Sequence, residues 1–140
     1  MAIVSRTCAS LRIWGDDLVP EEITAVLGGQ PTSARRKGEP MQIPSSHPPA
    51  RTGSWNRSSG EAEGDALDAQ IDLILSPLTP DLRVWKDLGA RFKLDMFCGI
   101  WMDAANQGTG LSPAGMKLLA DRGIPLELDI YFEGSSIPLK

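Results

Sequence analysis

Three carboxylates are the residues in this sequence best suited to do chemistry. Asp95 lies in "RFKLDMFCGIWMD", and Glu127 and Asp129 lie in "PLELDIYF". Both segments alternate apolar and polar residues, which predicts strands. If the two strands are neighbours, a pair of these carboxyl groups could share one raised pKa and act as an acid/base couple. The alternative is that they are ordinary solvated or ion-paired strand residues.

Other reactive residue types give weaker indications. The run "ARRKG" places Arg36 beside Lys37, which could hold a phosphate or carboxylate or could be a solvated turn. His47, the single histidine, lies in "SSHPP", where we expect a solvated loop residue and no catalytic triad. Cys8 and Cys98 are expected to be reduced, buried thiols. No spacing of metal ligands is present, so we predict no metal, no cofactor and no catalytic residue.

Length and charge restrict the class of protein. The chain has 140 residues and a net charge of −4, with a pI of about 4.9. This predicts one domain, residues 1–140, and argues against nucleic-acid binding, which depends on positive charge. No apolar run suits a signal peptide or a membrane span, so we expect a cytoplasmic protein with no membrane partner.

The sequence predicts secondary-structure elements in the order β-α-β-β-α-α-β-α-β. Alternation predicts strands at 8–14, 91–103 and 125–132, and two short strands at "SARRKG" and "GSWNRSS". Helices are predicted after Pro20, at 65–78 with Asp65 as N-cap, at 79–89 with Thr79 as N-cap, and at 112–123 with Ser112 as N-cap. The expected fold is α+β, a single mixed or antiparallel sheet with helices mainly on one face. Residues 39–52 are expected to form a mobile Pro-rich loop.

Alternation also assigns two faces to the sheet. The helix-covered face is predicted to carry Leu11, Ile13, Leu94, Met96, Cys98, Ile100, Leu128 and Ile130. The opposite face, called here the aromatic-polar face, is predicted to carry Arg12, Trp14, Lys93, Asp95, Phe97, Trp101, Glu127, Asp129 and Tyr131. Four of the eight aromatic residues therefore point away from the helices, which is an unusual amount of apolar surface to leave in water.

Three alternatives remain for what covers the aromatic-polar face: residues 30–60 folding back, a protein partner or second copy, and a small ligand. Residues 31–60 carry five basic residues and one acidic one, a net charge of +4, which favours the first. In that interpretation Trp55, in "RTGSWNRSSG", closes the face, and Gly53 lets the chain approach closely.

The ordered set "SLRIWGD", "VPEEITAVLGGQPTSARRKGE", "GSWN" and "LSPAGMKLLADRGIPLELDIY" resembles the bacterial domain of unknown function family 4279. The resemblance runs from about Ser10 to Tyr131. It implies a small α+β domain and transfers no catalytic residue.

The functional prediction is a non-enzymatic binding or protein-interaction module, immunity-like or regulatory, with a protein partner or homodimer on the aromatic-polar face. The alternative is a small-molecule-binding domain or an enzyme that uses the carboxylates of that face. The candidate ligand-binding residues are Arg12, Trp14, Arg36, Lys37, Trp55, Asp95, Trp101, Asp129 and Tyr131.

Overall fold

In residues 2–40 and 49–134, the parts of the chain that this computed structural model describes, strands and helices follow the predicted order. The strands are β1 (Arg6–Gly15), β2 (Ser33–Arg35), β3 (Gly53–Glu63), β4 (Lys93–Met102) and β5 (Leu126–Phe132). The helices are α1 (Pro20–Leu27), α2 (Leu67–Leu75), α3 (Leu82–Arg91) and α4 (Pro113–Asp121). His47 and the centre of the predicted 39–52 loop lie outside the described residues.

The strands form one mixed sheet in the order β2-β3-β1-β4-β5, which confirms the predicted class. β1 is central and runs antiparallel to both β3 and β4. β5 joins β4 in parallel, because α4 carries the chain back to the same end of the sheet. A bulge opposite Ala9, where Gly60 has φ 76°, shifts the register between β1 and β3.

Local sequence explains most helix ends. Pro20 opens α1, and Gly28 closes it with a left-handed φ of 77°. The Ser112 side chain caps α4 as predicted. Asp65 does not cap α2, because its carboxylate accepts a hydrogen bond from Thr109 instead. The cap of α3 is Asp81 and not Thr79.

The core lies between the sheet and the helices. The helix-facing residues of β1 and β4 are almost fully buried, from 0% exposed at Leu11 to 7% at Leu94. They pack against Ile23 and Leu27 of α1, against the apolar faces of α2 and α3, and against Leu119 of α4. The alternation in β1 and β4 therefore identified the buried face correctly.

The prediction for β5 was wrong about burial. Leu128 and Ile130 were expected in the core, but they are 49% and 58% exposed. The reason is the position of α4, which follows β4 and packs against α2. The N-terminus of α4 is tied there, since the backbone and hydroxyl of Ser112 both bond the Asp68 carboxylate. The helix layer therefore ends over β4.

Residues 30–60 do not fold over the aromatic-polar face in the part of the chain that is described. Residues 33–35 and 53–63 are instead β2 and β3 of the sheet itself. Trp55 lies opposite Ile13 on the helix-covered face and is 0% exposed. Its indole nitrogen donates a hydrogen bond of 3.0 Å to the Thr24 hydroxyl on α1. The predicted role of Trp55 in closing the aromatic-polar face was therefore wrong.

Gly53 permits a close approach, but not to the aromatic-polar face for which it was predicted. A Cβ at this position would lie 2.8 Å from the Gly15 carbonyl oxygen and 2.9 Å from that of Leu18. The approach joins β3 to the end of β1 and the start of α1. It positions Trp55 beneath α1.

Candidate binding face

Arg12 is the centre of the aromatic-polar face. Its guanidinium donates two hydrogen bonds to Asp95 on β4, Nε to Oδ1 at 2.8 Å and Nη2 to Oδ2 at 2.6 Å. The same group lies 4.1 Å above the Phe97 ring and 5.5 Å from that of Trp14. The hydrogen bonding of this guanidinium to Asp95 raises the pKa of Arg12, against the opposing effect of burial.

A second arginine-aromatic group lies at the other end of the face. The guanidinium of Arg6 lies 4.6 Å from the centre of the Trp101 ring, and Trp101 stacks on Tyr131 with ring centres 5.2 Å apart. Arg6 also forms ion pairs with Glu133, at 2.5 Å, and Glu61, at 3.5 Å. These contacts run across β3, β1, β4 and β5.

Gly99 makes room for the Trp101 indole. A Cβ at Gly99 would lie 2.7 Å and 2.8 Å from atoms of that ring. The far edge of the indole therefore lies above Gly99, while the Arg6 guanidinium lies over the ring and Tyr131 stacks on it. A larger residue at position 99 would displace it from both Arg6 and Tyr131.

The two groups explain the surplus of aromatic residues. Guanidinium planes and neighbouring rings cover part of each aromatic side chain, so Trp14, Phe97 and Trp101 are half-buried and Tyr131 is 44% exposed. Aromatic rings and arginine side chains are thus left partly in water on this face. We call this set the arginine-aromatic ladder: Arg6, Arg12, Trp14, Phe97, Trp101 and Tyr131.

Two carboxylates of the face, Asp95 and Asp129, are bonded to neighbours of other types. Asp95 is only 5% exposed and is held by Arg12. The Tyr131 hydroxyl donates to Asp129, which raises the pKa of Tyr131. Among the described residues, no hydrogen bond joins two of these carboxyl groups.

Trp14 borders three open depressions. One, of about 250 Å³, lies on the face between Arg12, Ser54 and Asn56. A second, of about 300 Å³, is lined by Asp95, Lys93 and Glu127, and a third, of about 480 Å³, lies beside Asp16 and Arg91. All three are shallow and face solvent.

The structure brings together six of the nine predicted site residues: Arg12, Trp14, Asp95, Trp101, Asp129 and Tyr131. Arg36 and Lys37 lie elsewhere, because Arg36 pairs with Glu21 of α1 at 3.0 Å and Lys37 with Asp16 at 3.1 Å. The bond from Lys37 lowers the pKa of Asp16. A backbone hydrogen bond lowers the pKa of Glu21, and the bond from Arg36 lowers it further. Trp55 is in the core.

Arg6 belongs to the face and was missed from the sequence. The predicted first strand began at residue 8, two residues too late. The signal was present, since the polar alternation of Arg12, Ser10 and Cys8 extends by one more step to Arg6.

The two cysteines lie on opposite faces. Cys98 is fully buried on the helix-covered face beside Ala9, and Cys8 points to the aromatic-polar face. Burial raises the pKa of Cys98 to about 12, with smaller effects of Cys8 and Asp95. Both are free thiols, and their opposite directions prevent a bond between them.

Within residues 2–40 and 49–134, no three His, Cys, Asp or Glu side chains are grouped to hold a metal ion. No helix in those ranges has the length and apolar character needed to cross a bilayer.

Comparison with known proteins gives one match. The family model described as "Domain of unknown function (DUF4279)" matches residues 5–133, nearly the whole chain. Neither a curated protein nor a solved structure matches the chain. The chain belongs to the DUF4279 family.

Proposed function

We propose that this member of the family is a non-enzymatic protein-interaction module that binds a protein partner on its aromatic-polar face. The observation that carries the proposal is the arginine-aromatic ladder, which is only partly covered by its own neighbours. Trp, Tyr and Arg are the residue types that contribute most to binding at protein interfaces. A sheet holds them in place before binding, so little side-chain freedom is lost.

The shape of the face favours a protein over a small molecule. Ligand pockets normally enclose most of the ligand surface. The depressions around Trp14 are shallow and open, including the one that Arg12 borders. A broad partner can contact both ends of the ladder at once, which a small molecule in one depression cannot do.

The charges of the face argue in the same direction. Arg6 and Arg12 are both paired with carboxylates, which leaves little free positive charge for the phosphates of a nucleic acid. Asp95 is engaged by Arg12, which supports a non-enzymatic role over acid/base catalysis. An immunity-like or regulatory role in a bacterial cytoplasm is part of the proposal, by analogy with other small acidic proteins.

Site-specific photo-crosslinking in cells of the source organism tests the proposal. A photoreactive amino acid replaces Asn56, on the aromatic-polar face, and in a matched protein replaces Lys117, on the outer side of α4. We expect a discrete adduct with another protein from position 56 alone. The double variant Trp101→Ala/Tyr131→Ala should lose it, and the control Leu82→Ala/Met116→Ala, which removes exposed apolar side chains of α3 and α4, should keep it.

Other outcomes overturn the proposal. Absence of any adduct from position 56, or the same adduct from both positions, would contradict binding by this face. An adduct with a second copy of the chain would replace the partner with self-association. A copurified small molecule, detected by native mass spectrometry and lost in Trp14→Ala, would favour the ligand-binding alternative.

A further inference from the structure

Acidic side chains are concentrated at one end of the aromatic-polar face. Strand pairing sets Glu61 and Glu63 of β3 level with Asp129 and Tyr131 of β5, at the end where Arg6 lies. Four carboxylates and one basic side chain give this region a net charge of −3. The set, called here the acidic end, is Arg6, Glu61, Glu63, Asp129 and Glu133.

The other half of the same face is close to neutral. Arg35 of β2 lies opposite Ser54, so it also points to this face. The charged residues of this half are three basic and two acidic, a net charge of +1: Arg12, Arg35, Lys93, Asp95 and Glu127. The face is therefore polarised along its strands, and its negative charge belongs to the acidic end.

The chain supplies little positive charge to neutralise the acidic end. Within the described ranges, its only ion pairs are those of Arg6 with Glu61 and Glu133. The residues outside those ranges contain one further Lys or Arg, which is Lys140. A protein that approaches this end of the face therefore meets a negative surface.

Arg6 shows how this end of the face holds a guanidinium group. Its Cζ atom lies 4.6 Å from the centre of the Trp101 ring, and its two terminal nitrogens contact Glu61 and Glu133. The other arginine of the ladder repeats the arrangement with its own ring and carboxylate. A guanidinium is attracted to a ring and to a carboxylate at the same time, which suits arginine better than lysine.

We propose that the partner of the aromatic-polar face presents an arginine-bearing basic segment to the acidic end. This inference rests on the proposed function and adds the chemistry of the partner. Tyr131 is 44% exposed beside Asp129, and within the described ranges neither Asp129 nor Glu63 forms an ion pair. An incoming guanidinium therefore meets an aromatic ring and carboxylates that no cation of the described chain engages.

The aromatic rings distinguish this surface from an ordinary solvated acidic patch. Exposed ion pairs alone contribute little to binding. A guanidinium that also stacks on a ring is partly removed from water, and the attraction is then larger. Opposite charges on the two surfaces also speed association and exclude acidic partners.

An NMR titration of the full chain with a synthetic peptide of alternating arginine and serine residues tests the proposal. We expect the Trp101 indole N–H signal to shift and to saturate. The indoles of Trp55 and Trp85 are buried and hydrogen-bonded, so their signals should stay in place as internal references. A lysine–serine peptide should bind more weakly, a glutamate–serine peptide should not bind, and added salt should weaken binding.

Two variants of equal charge locate the binding. Glu63→Gln/Asp129→Asn removes two charges from the acidic end, and the new amide can still accept the bond from the Tyr131 hydroxyl. We expect this variant to bind the arginine peptide about 5-fold more weakly. The control Asp17→Asn/Asp72→Asn removes two exposed charges from the turn after β1 and from α2, and should bind as the parent protein does.

Three results would overturn the proposal. They are an unchanged Trp101 signal, equal weakening by both double variants, and a lysine peptide that binds as tightly as the arginine peptide. Equal weakening would mean attraction by net charge alone.

Crosslinking in cells keeps this proposal separate from the proposed function. A protein adduct from position 56 that Glu63→Gln/Asp129→Asn leaves unchanged retains the interaction role and rules out the basic contact. If position 56 gives no adduct while the arginine peptide binds as expected, the interaction role fails and the cation-binding surface remains.

Discussion

Arg12 and Asp95 form a bidentate ion pair across β1 and β4 in which the two partners are unequally buried. The side chain of Asp95 is 6% exposed, whereas that of Arg12 is 38% exposed. Loss of Arg12 leaves a buried carboxylate without its partner. Loss of Asp95 leaves a guanidinium that can still reach water and the Phe97 ring.

Removal of the arginine should therefore cost more stability than removal of the acid. After allowance for the exposure of Arg12, we expect Arg12→Ala to lower the free energy of unfolding by about 2 kcal/mol and Asp95→Ala by about 1 kcal/mol. Urea denaturation of the two variants measures the difference. The reverse order would contradict the unequal burial.

A surface pair supplies the control for that experiment. Arg83 and Asp81 make the same two-pronged contact at 3.0 Å and 3.1 Å, but the Arg83 side chain is 92% exposed. Such pairs contribute little to stability. Arg83→Ala should leave the urea midpoint close to that of the parent protein.

Tyr131 should titrate above the ordinary range of tyrosine. Its hydroxyl donates to Asp129, and ionisation would break that bond beside a negative charge, so its pKa is raised. Tyr131 is the single tyrosine, so the phenolate absorbance reports this group alone. Asp129→Ala should lower the midpoint of the Tyr131 titration. Glu127→Gln, which changes a β5 carboxylate two residues farther from Tyr131, should leave that midpoint unchanged.

The sign of the linked stability follows from the same bond. The folded state holds the Tyr131 proton more tightly than the unfolded chain does. The bond therefore contributes stability below the unfolded pKa of tyrosine, and this contribution is lost as pH rises through the folded pKa. If the Tyr131 titration midpoint is equal in the parent protein and in Asp129→Ala, the hydrogen bond does not persist in solution.

Several elements could be predicted because a local sequence pattern determines each of them. The strict alternation of β4 identified its buried face, and Pro20, Ser112 and Gly28 set helix ends by local geometry. The ladder is the part of the candidate site that follows from alternation, since strand neighbours on one face must meet. Its pairing of Arg12 with Asp95 required the register, which a single sequence does not contain.

Trp55 and Ile130 show why the rest could not be predicted. Trp55 is flanked by polar residues, and the positive charge of its segment, to which Arg57 contributes, favoured contact with the acidic aromatic-polar face. In the fold Arg57 instead donates to the Ile74 and Gln30 carbonyls, where α2 and the loop after α1 end. Ile130 has the right parity for the core, but whether a helix reaches that far depends on the tertiary position of α4.

The two thiols should differ sharply in reactivity. Cys98 is buried with a pKa of about 12, so almost none of it is thiolate at neutral pH, whereas Cys8 is half-buried on the aromatic-polar face. A thiol reagent should label Cys8 first. In Cys8→Ser, labelling should wait for denaturant, and the melting temperature of the parent should not depend on reductant. Rapid labelling of native Cys8→Ser would contradict the burial of Cys98.

Trp55 should be among the most costly residues to truncate. The indole is fully buried between β3 and α1, so Trp55→Ala removes a large apolar volume and should cost about 3–5 kcal/mol of unfolding free energy. Thr24→Val keeps the shape of the side chain at position 24 but removes the acceptor of the Trp55 indole N–H. We expect this to cost about 1 kcal/mol of unfolding free energy. Trp101→Ala is the control of equal size, and because that indole is half-exposed its loss should be clearly smaller. Chemical denaturation of the three variants separates a core tryptophan from a surface one, and equal losses for Trp55→Ala and Trp101→Ala would place Trp55 outside the core.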